Sequence, residues 1–282
     1  MAMGFGCNAA GVTGCRIIDS PRERLIAIIT NNFMPCNGRF PTLISLISMF
    51  FTASLTGAMR SGISALILLG FILLAVGITL IVSWILSKTF LKGVPSAFVL
   101  ELPPYSKPQI GKVIVRSIFD RTIFVLGRAC AVAAPAGLII WLLANLSIGN
   151  STLLVHISEF LNPLGHILGM DGVILLGFIL GFPANEIVLP VILMCYTSAG
   201  TIIEASDTQM LRNILTDNGW NCITALCMII FTIFHFPCST TCLTIKKETG
   251  SLKQTAAAIA VPTAAGVIIC FLISSLSRIL GY

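Results

Sequence analysis

Charge is scarce in this sequence. Asp, Glu, Lys and Arg make up 10% of its 282 residues, against roughly 25% in a typical soluble domain. Hydrophobic residues reach 56% and mean hydropathy is +0.98. A soluble chain of this size could not hide that much apolar surface, and the same balance excludes intrinsic disorder. Catalytic signatures are missing too, with no H-E-x-x-H and no G-x-S-x-G. No G-x-x-x-x-G-K-[ST] loop is present to cradle a phosphate: Gly111-Lys112 is followed by Val113 and has no Gly-rich approach, and N-K-x-D is absent. With three Trp and three Tyr, the chain is poorly equipped to stack nucleobases. The N-terminal stretch MAMGFGCNAAG lacks the basic n-region and clean apolar core of a secretory signal.

What is present is long apolar runs. About six approach the length that crosses roughly 30 Å of hydrocarbon, at 40–59, 63–87, 129–148, 172–196, 219–236 and 256–276. They predict an all-α polytopic membrane protein. Ahead of them, Ser20, Pro21 and Glu23 fit the cap, first and third positions of a short helix over 20–33. The excess of 17 Lys+Arg over 11 Asp+Glu, a net +6, speaks to topology and lipid headgroups rather than nucleic acid.

Arg16, Arg22, Arg24 and Arg39 precede the first run. Lys88, Lys92, Lys107, Lys112, Arg116, Arg121 and Arg128 separate the second from the third, whereas 149–171 has no Lys or Arg. The positive-inside bias then puts 16–39 and 88–128 in the cytoplasm and 149–171 outside. Residues 88–128, containing ELPPY at 101–105, read as a loop followed by a basic amphipathic helix at the membrane surface. If 172–196 crossed fully, Lys246, Lys247 and Lys253 would fall outside. A run that enters and turns back at Gly181-Phe182-Pro183 removes the conflict, and such breaks survive at membrane depth only inside protein or beside a wet cavity.

Two places share a pattern. Gly4-Phe5-Gly6-Cys7-Asn8 is followed by Phe33-Met34-Pro35-Cys36, and Gly181-Phe182-Pro183-Ala184-Asn185-Glu186 by His235-Phe236-Pro237-Cys238. Paired Gly/Pro interruptions in two halves point to a transporter's site at the repeat interface, with Gly4, Gly6, Pro35, Gly181, Pro183 and Pro237 shaping its backbone. Unwound segments free carbonyl oxygens. Asn8, Asn185 and Glu186 add side-chain oxygens, Cys7, Cys36, Cys238 and Cys242 sulfur, His235 nitrogen and Met34 a thioether. That mixed set suits a divalent transition metal, and Glu186 is the one carboxylate within a long apolar run, a costly placement. Cys130, Cys195, Cys222, Cys227 and Cys270 read as small packing residues, and His156 and His166 as solvated groups of an exterior loop.

GFGCN at 4–8, FMPCNGRFP at 33–41, ELPPY at 101–105, LGFPANEIVLP at 180–190 and HFPCSTTCLTIKKETGS at 235–251 resemble the membrane portion of the ferrous iron transport protein B family along essentially the whole chain. The resemblance implies Fe(II) uptake across the bacterial inner membrane, with Cys7, Cys36 and Cys238 at the pore-lining positions and two gate regions, also called nucleoside-recognition domains. It divides the chain into a first gate region at 1–60, incomplete at its N-terminus, a span plus basic cytoplasmic segment at 61–128, and a membrane region with the second gate at 129–282. That family carries an N-terminal GTP-binding domain, whereas this sequence starts almost at the first gate motif. The expectation is a C-terminal piece, a split-gene product or a truncated frame, unable by itself to bind GTP, with the GTPase half or other iron-transport subunits as partners beside the bilayer and Fe(II). No permanently bound cofactor is expected, and a homo-oligomer is compatible with the sequence. The competing readings are a transporter of nucleosides or small organic molecules, and an inert membrane scaffold.

Overall fold

The structure is a computed structural model describing residues 2–89, 110–116, 123–148, 151–197 and 208–280; ELPPY and most of the 88–128 segment lie outside these. The chain opens with α1 (Ala2–Gly6) and α2 (Asn8–Gly14), then α3 (Pro21–Asn31), α4 (Phe40–Leu46) with a π-helical extension Ile47–Phe51, α5 (Gly57–Lys88), α6 (Ile110–Arg116) and α7 (Phe124–Asn145). A two-residue antiparallel ladder, Ser147–Ile148 with Ser151–Thr152, precedes α8 (Leu153–Ile167), α9 (Gly172–Leu180) and α10 (Val188–Thr197). The rest is α11 (Thr208–Asp217), α12 (Cys222–Phe234), α13 (Ser239–Thr249) and α14 (Leu252–Ile279).

Local chemistry sets the boundaries. Glu23 N donates to Ser20 Oγ at 3.4 Å and Pro21 opens α3, as the sequence predicts. Asp171 Oδ1 accepts from Ile174 N at 2.7 Å at the start of α9, and Asn221 Oδ1 from Thr224 N at 2.8 Å at the start of α12. These caps occupy orphan donors that hydrocarbon cannot satisfy.

Three helices among the described residues are long and apolar enough to cross a membrane: α5, α14 and the near-continuous α12–α13 pair, Cys222–Thr249. The most apolar window of that pair is 67% buried inside the protein, against 11% for α5, so α12 is the central post and α5 faces outward. Around α12 cluster Phe33, Leu46, Met49, Phe178, Ile192 and Cys270.

The 172–196 run does break. Gly177 approaches Ile192 and Gly181 approaches Val188, a pairing that decreases along one arm as it increases along the other, so α9 and α10 form an antiparallel hairpin that turns back at 181–187. At its base the Tyr196 hydroxyl donates to Asp171 Oδ2 and accepts from Trp220 Nε1 at 2.8 Å, tying both arms to the start of α12.

Other expectations need correction. The 40–59 run is not one spanning helix: α4 and its π-turn stop at Phe51, and α5 starts at Gly57, whose φ of 61° favours glycine. The 149–171 stretch is largely the helix α8, bent 109° from α9. Its His156 and His166 are exposed, as read from sequence. The backbone irregularity at 4–8 is confined to Cys7, the extended residue between α1 and α2; Gly4 and Gly6 are helical. Cys227 and Cys270 are buried packing residues and Cys195 is partly buried, but Cys130 and Cys222 are exposed. Where lipid replaces water, a thiol gains little by turning inward.

Candidate functional site

The two Pro-Cys breaks meet at the middle of the protein. Helix α12 ends at Phe234, His235 is extended (φ −70°, ψ 174°), and α13 restarts after Cys238. Helix α3 ends in turns through Asn32–Met34, Pro35 stops it, and Cys36 leads into a short 3-10 turn, Asn37–Arg39.

Asn185, at the hairpin tip, joins the two halves. Its Nδ2 lies 3.8 Å from Cys36 Sγ in the first half, and its Oδ1 lies 3.3 Å from His235 Nε2 in the second. His235 Nδ1 faces the carbonyls of Phe231 and Thr232 at 3.0 and 2.9 Å. Two acceptors there require the proton on Nδ1, so Nε2 is left as a lone-pair donor to an electrophile and makes no hydrogen bond with the Asn185 Oδ1 it faces, itself an acceptor. Phe178, Phe231 and Phe236 pack around the imidazole and exclude water from it.

In the first half Asn8 is buried, and its amide nitrogen satisfies its neighbours by donating to Met34 O at 3.3 Å and Gly4 O at 3.1 Å. Asn31 Nδ2 donates to Asn8 O at 3.0 Å. Gly4 admits this amide, since a Cβ there would sit 2.7 Å from Asn31 Oδ1.

The remaining candidates are more dispersed. Cys36 is buried, Cys238 partly buried with Sγ 3.3 Å from Thr241 Oγ1, and Cys7 exposed. Cys242 is buried and its thiol donates to Pro237 O at 3.4 Å. Glu186 is exposed at the hairpin tip, its backbone N beside Gly38. Among the described residues no three His, Cys, Asp or Glu side chains converge as a metal-binding group.

The freed carbonyls already have partners. Ser239 donates to Phe182 O from its backbone N at 2.9 Å and to Pro183 O from its hydroxyl at 3.4 Å. Those at the second break are held by Arg39, which the positive-inside bias alone groups with cytoplasmic charges. Arg39 is fully buried. Its Nη1 donates to Ile233 O at 2.8 Å and Asn32 O at 3.5 Å, and its Nη2 to His235 O at 3.3 Å and Phe236 O at 3.4 Å. Its place inside the motif, between Gly38 and Phe40-Pro41 just past the first break, was the available signal: a charge inside a gate motif is part of the gate.

Fold and site together define a polytopic all-α membrane protein built around two broken helical elements, with polar side chains from both converging between them. Comparison with known proteins narrows this class. Residues 62–120 match the family model described as ferrous iron transport protein B C terminus, and 126–252 the one described as nucleoside recognition. The chain belongs to the ferrous iron transport protein B family and corresponds to its C-terminal membrane portion. Similar proteins include the Fe(2+) transporter FeoB of Staphylococcus aureus strain COL, 30% identical across 96% of this chain. Those of Leptospira interrogans and Methanocaldococcus jannaschii are 26% and 25% identical over 87% and 89% of it. The chain spans 39% of the Staphylococcus relative's length. No solved structure matches it.

Proposed function

We propose that this chain is the Fe(II)-conducting membrane core of a ferrous iron uptake system in the bacterial inner membrane, with GTPase activity supplied by a segment or polypeptide outside it. In this reading 1–60 and 129–282 carry the two gates, and 61–128 provides a span and a basic cytoplasmic segment. The observation that carries it is the crossing of the halves at Asn185, within reach of Cys36 Sγ and His235 Nε2. An imidazole lone pair, an amide and a thiol from opposed broken elements make a borderline-to-soft ligand set. Such a set accepts Fe(II), which lies low in the divalent affinity order and so is released readily.

The test is anaerobic Fe(II) influx into liposomes holding the full chain together with a GTPase half from a relative. Cys36→Ser should lower the initial influx rate at least fivefold at matched protein density. Influx of labelled nucleoside with none of Fe(II) would instead support an organic substrate, and influx of neither would support the inert scaffold.

A further inference from the structure

Arg39 is the one fully buried charged side chain among the described residues. No carboxylate pairs with it there, and its Nε has no acceptor. Buried charges ordinarily have an ion-pair partner or bind a metal. Around this guanidinium lie instead four carbonyl oxygens, two of them also the backbone of the break that carries His235. A cysteine from each half flanks these contacts in the chain: Cys36, whose carbonyl accepts from Arg39 N at 2.9 Å, and Cys238, two residues after Phe236. Four hard carbonyl oxygens gathered about a single positive charge, with a cysteine from each half adjacent in the chain, are the donor types a divalent cation takes, and a guanidinium keeps its charge in proteins.

We propose that Arg39 is a built-in occupant of a divalent-cation site between the two breaks. In the closed state its guanidinium fills the place of the permeating ion and holds the carbonyls of Asn32, Ile233, His235 and Phe236. When it swings out, those carbonyls and the thiolates of Cys36 and Cys238 become the ligands. This deepens the reading of the chain as an ion-conducting core and rests on it. Like charges cannot share the site, so the arginine also blocks leak while the partner GTPase is idle.

The probe is Co(II), whose thiolate bonds give a charge-transfer absorption, titrated into the full-length chain in detergent. Arg39→Gln should bind Co(II) at least tenfold more tightly than wild type and show the thiolate band. Adding Cys36→Ser to that variant should weaken the band. Liposomes with Arg39→Gln should admit Co(II) without any GTPase half. Should Arg39→Gln fail to give monodisperse protein, Arg39→Lys decides, because it keeps the charge but loses the fork that spans the carbonyls; it should bind Co(II) at least threefold more tightly. Wild-type affinity in either folded variant, even with lowered thermal stability, makes Arg39 a mere brace and overturns the proposal. In that outcome Fe(II) influx by wild type with its GTPase half still stands as evidence for the conducting core, whereas absence of that influx removes the core itself.

Discussion

Asn185 and Glu186 are neighbours with opposite environments, and they separate structural from ionic roles at a single residue's scale. Asn185 is 8% exposed and touches both halves. Asn185→Ala removes the side chain packed between Cys36 and His235 and leaves a void between the halves, a cost of about 0.5–3 kcal/mol, so the thermal unfolding temperature in detergent should fall and influx with it. Glu186 is exposed, and Glu186→Gln should leave unfolding within about 0.5 kcal/mol of wild type while lowering Fe(II) influx. Unchanged influx in that variant takes the carboxylate off the ion's path. Cys130→Ser, on the outer surface, is the control expected to change neither.

The motif residues were legible because Gly, Pro and polar side chains interrupt apolar runs, and an interruption in hydrocarbon must serve something. Arg39 was not legible as a core group, because a lone arginine just ahead of an apolar run has the same appearance as a topogenic charge. Burial beside four carbonyls is a tertiary fact, set by Asn32 and by residues 194 to 197 positions later.

At the scale of elements, the hairpin α9–α10 depends on close approach. A Cβ on Gly181 would lie 2.4 Å from Val188 Cγ2, and one on Gly177 would lie 2.5 Å from Ile192 Cγ1. Gly177→Ala should therefore destabilise by about 1–3 kcal/mol, the usual cost of overpacking, and should reduce influx by displacing Asn185. Wild-type stability in Gly177→Ala would show that the arms separate without cost. The break at Gly181-Phe182-Pro183 was visible in the sequence, whereas the helical state of 153–167 was not. Its Pro163 and Gly165 read as loop signals, yet the turn at Gly169, φ 73°, falls after them.

Over the whole molecule, the two halves run in opposite senses. With the basic ends Arg22–Arg24 and Lys246–Lys247 both cytoplasmic, the path through α3, the break and α4 leads outward, and α12, the break and α13 lead inward. Helix α2 packs on α13, as the 3-10 turn at Asn37–Arg39 packs on the one at Asn185–Ile187, so each gate's first break meets the segment after the other gate's second. At the end that carries these basic residues Arg16 pairs with Glu248 at 2.6 Å; that bond raises the guanidinium's pKa, but Arg16 is largely exposed and the pair adds little stability. An epitope inserted after Gly219 should be reached by antibody in intact spheroplasts, and one after Gly250 only after permeabilisation. The reverse result, with Gly219 reached only after permeabilisation and Gly250 reached in intact spheroplasts, would restore a full crossing by 172–196 and remove the inverted arrangement.

The bond from Arg39 to the Ile233 carbonyl spans 194 residues. At roughly 5–20 residues per second of synthesis, the arginine waits on the order of 10–40 s for the acceptors that will hold it. Throughout that interval the nascent first half presents this cation to the insertion machinery with three of its four acceptors, the carbonyls of Ile233, His235 and Phe236, still unmade on the ribosome. Biogenesis of this protein therefore includes a period in which something outside the finished fold, whether water in the translocation channel or an insertase, must shelter a single guanidinium.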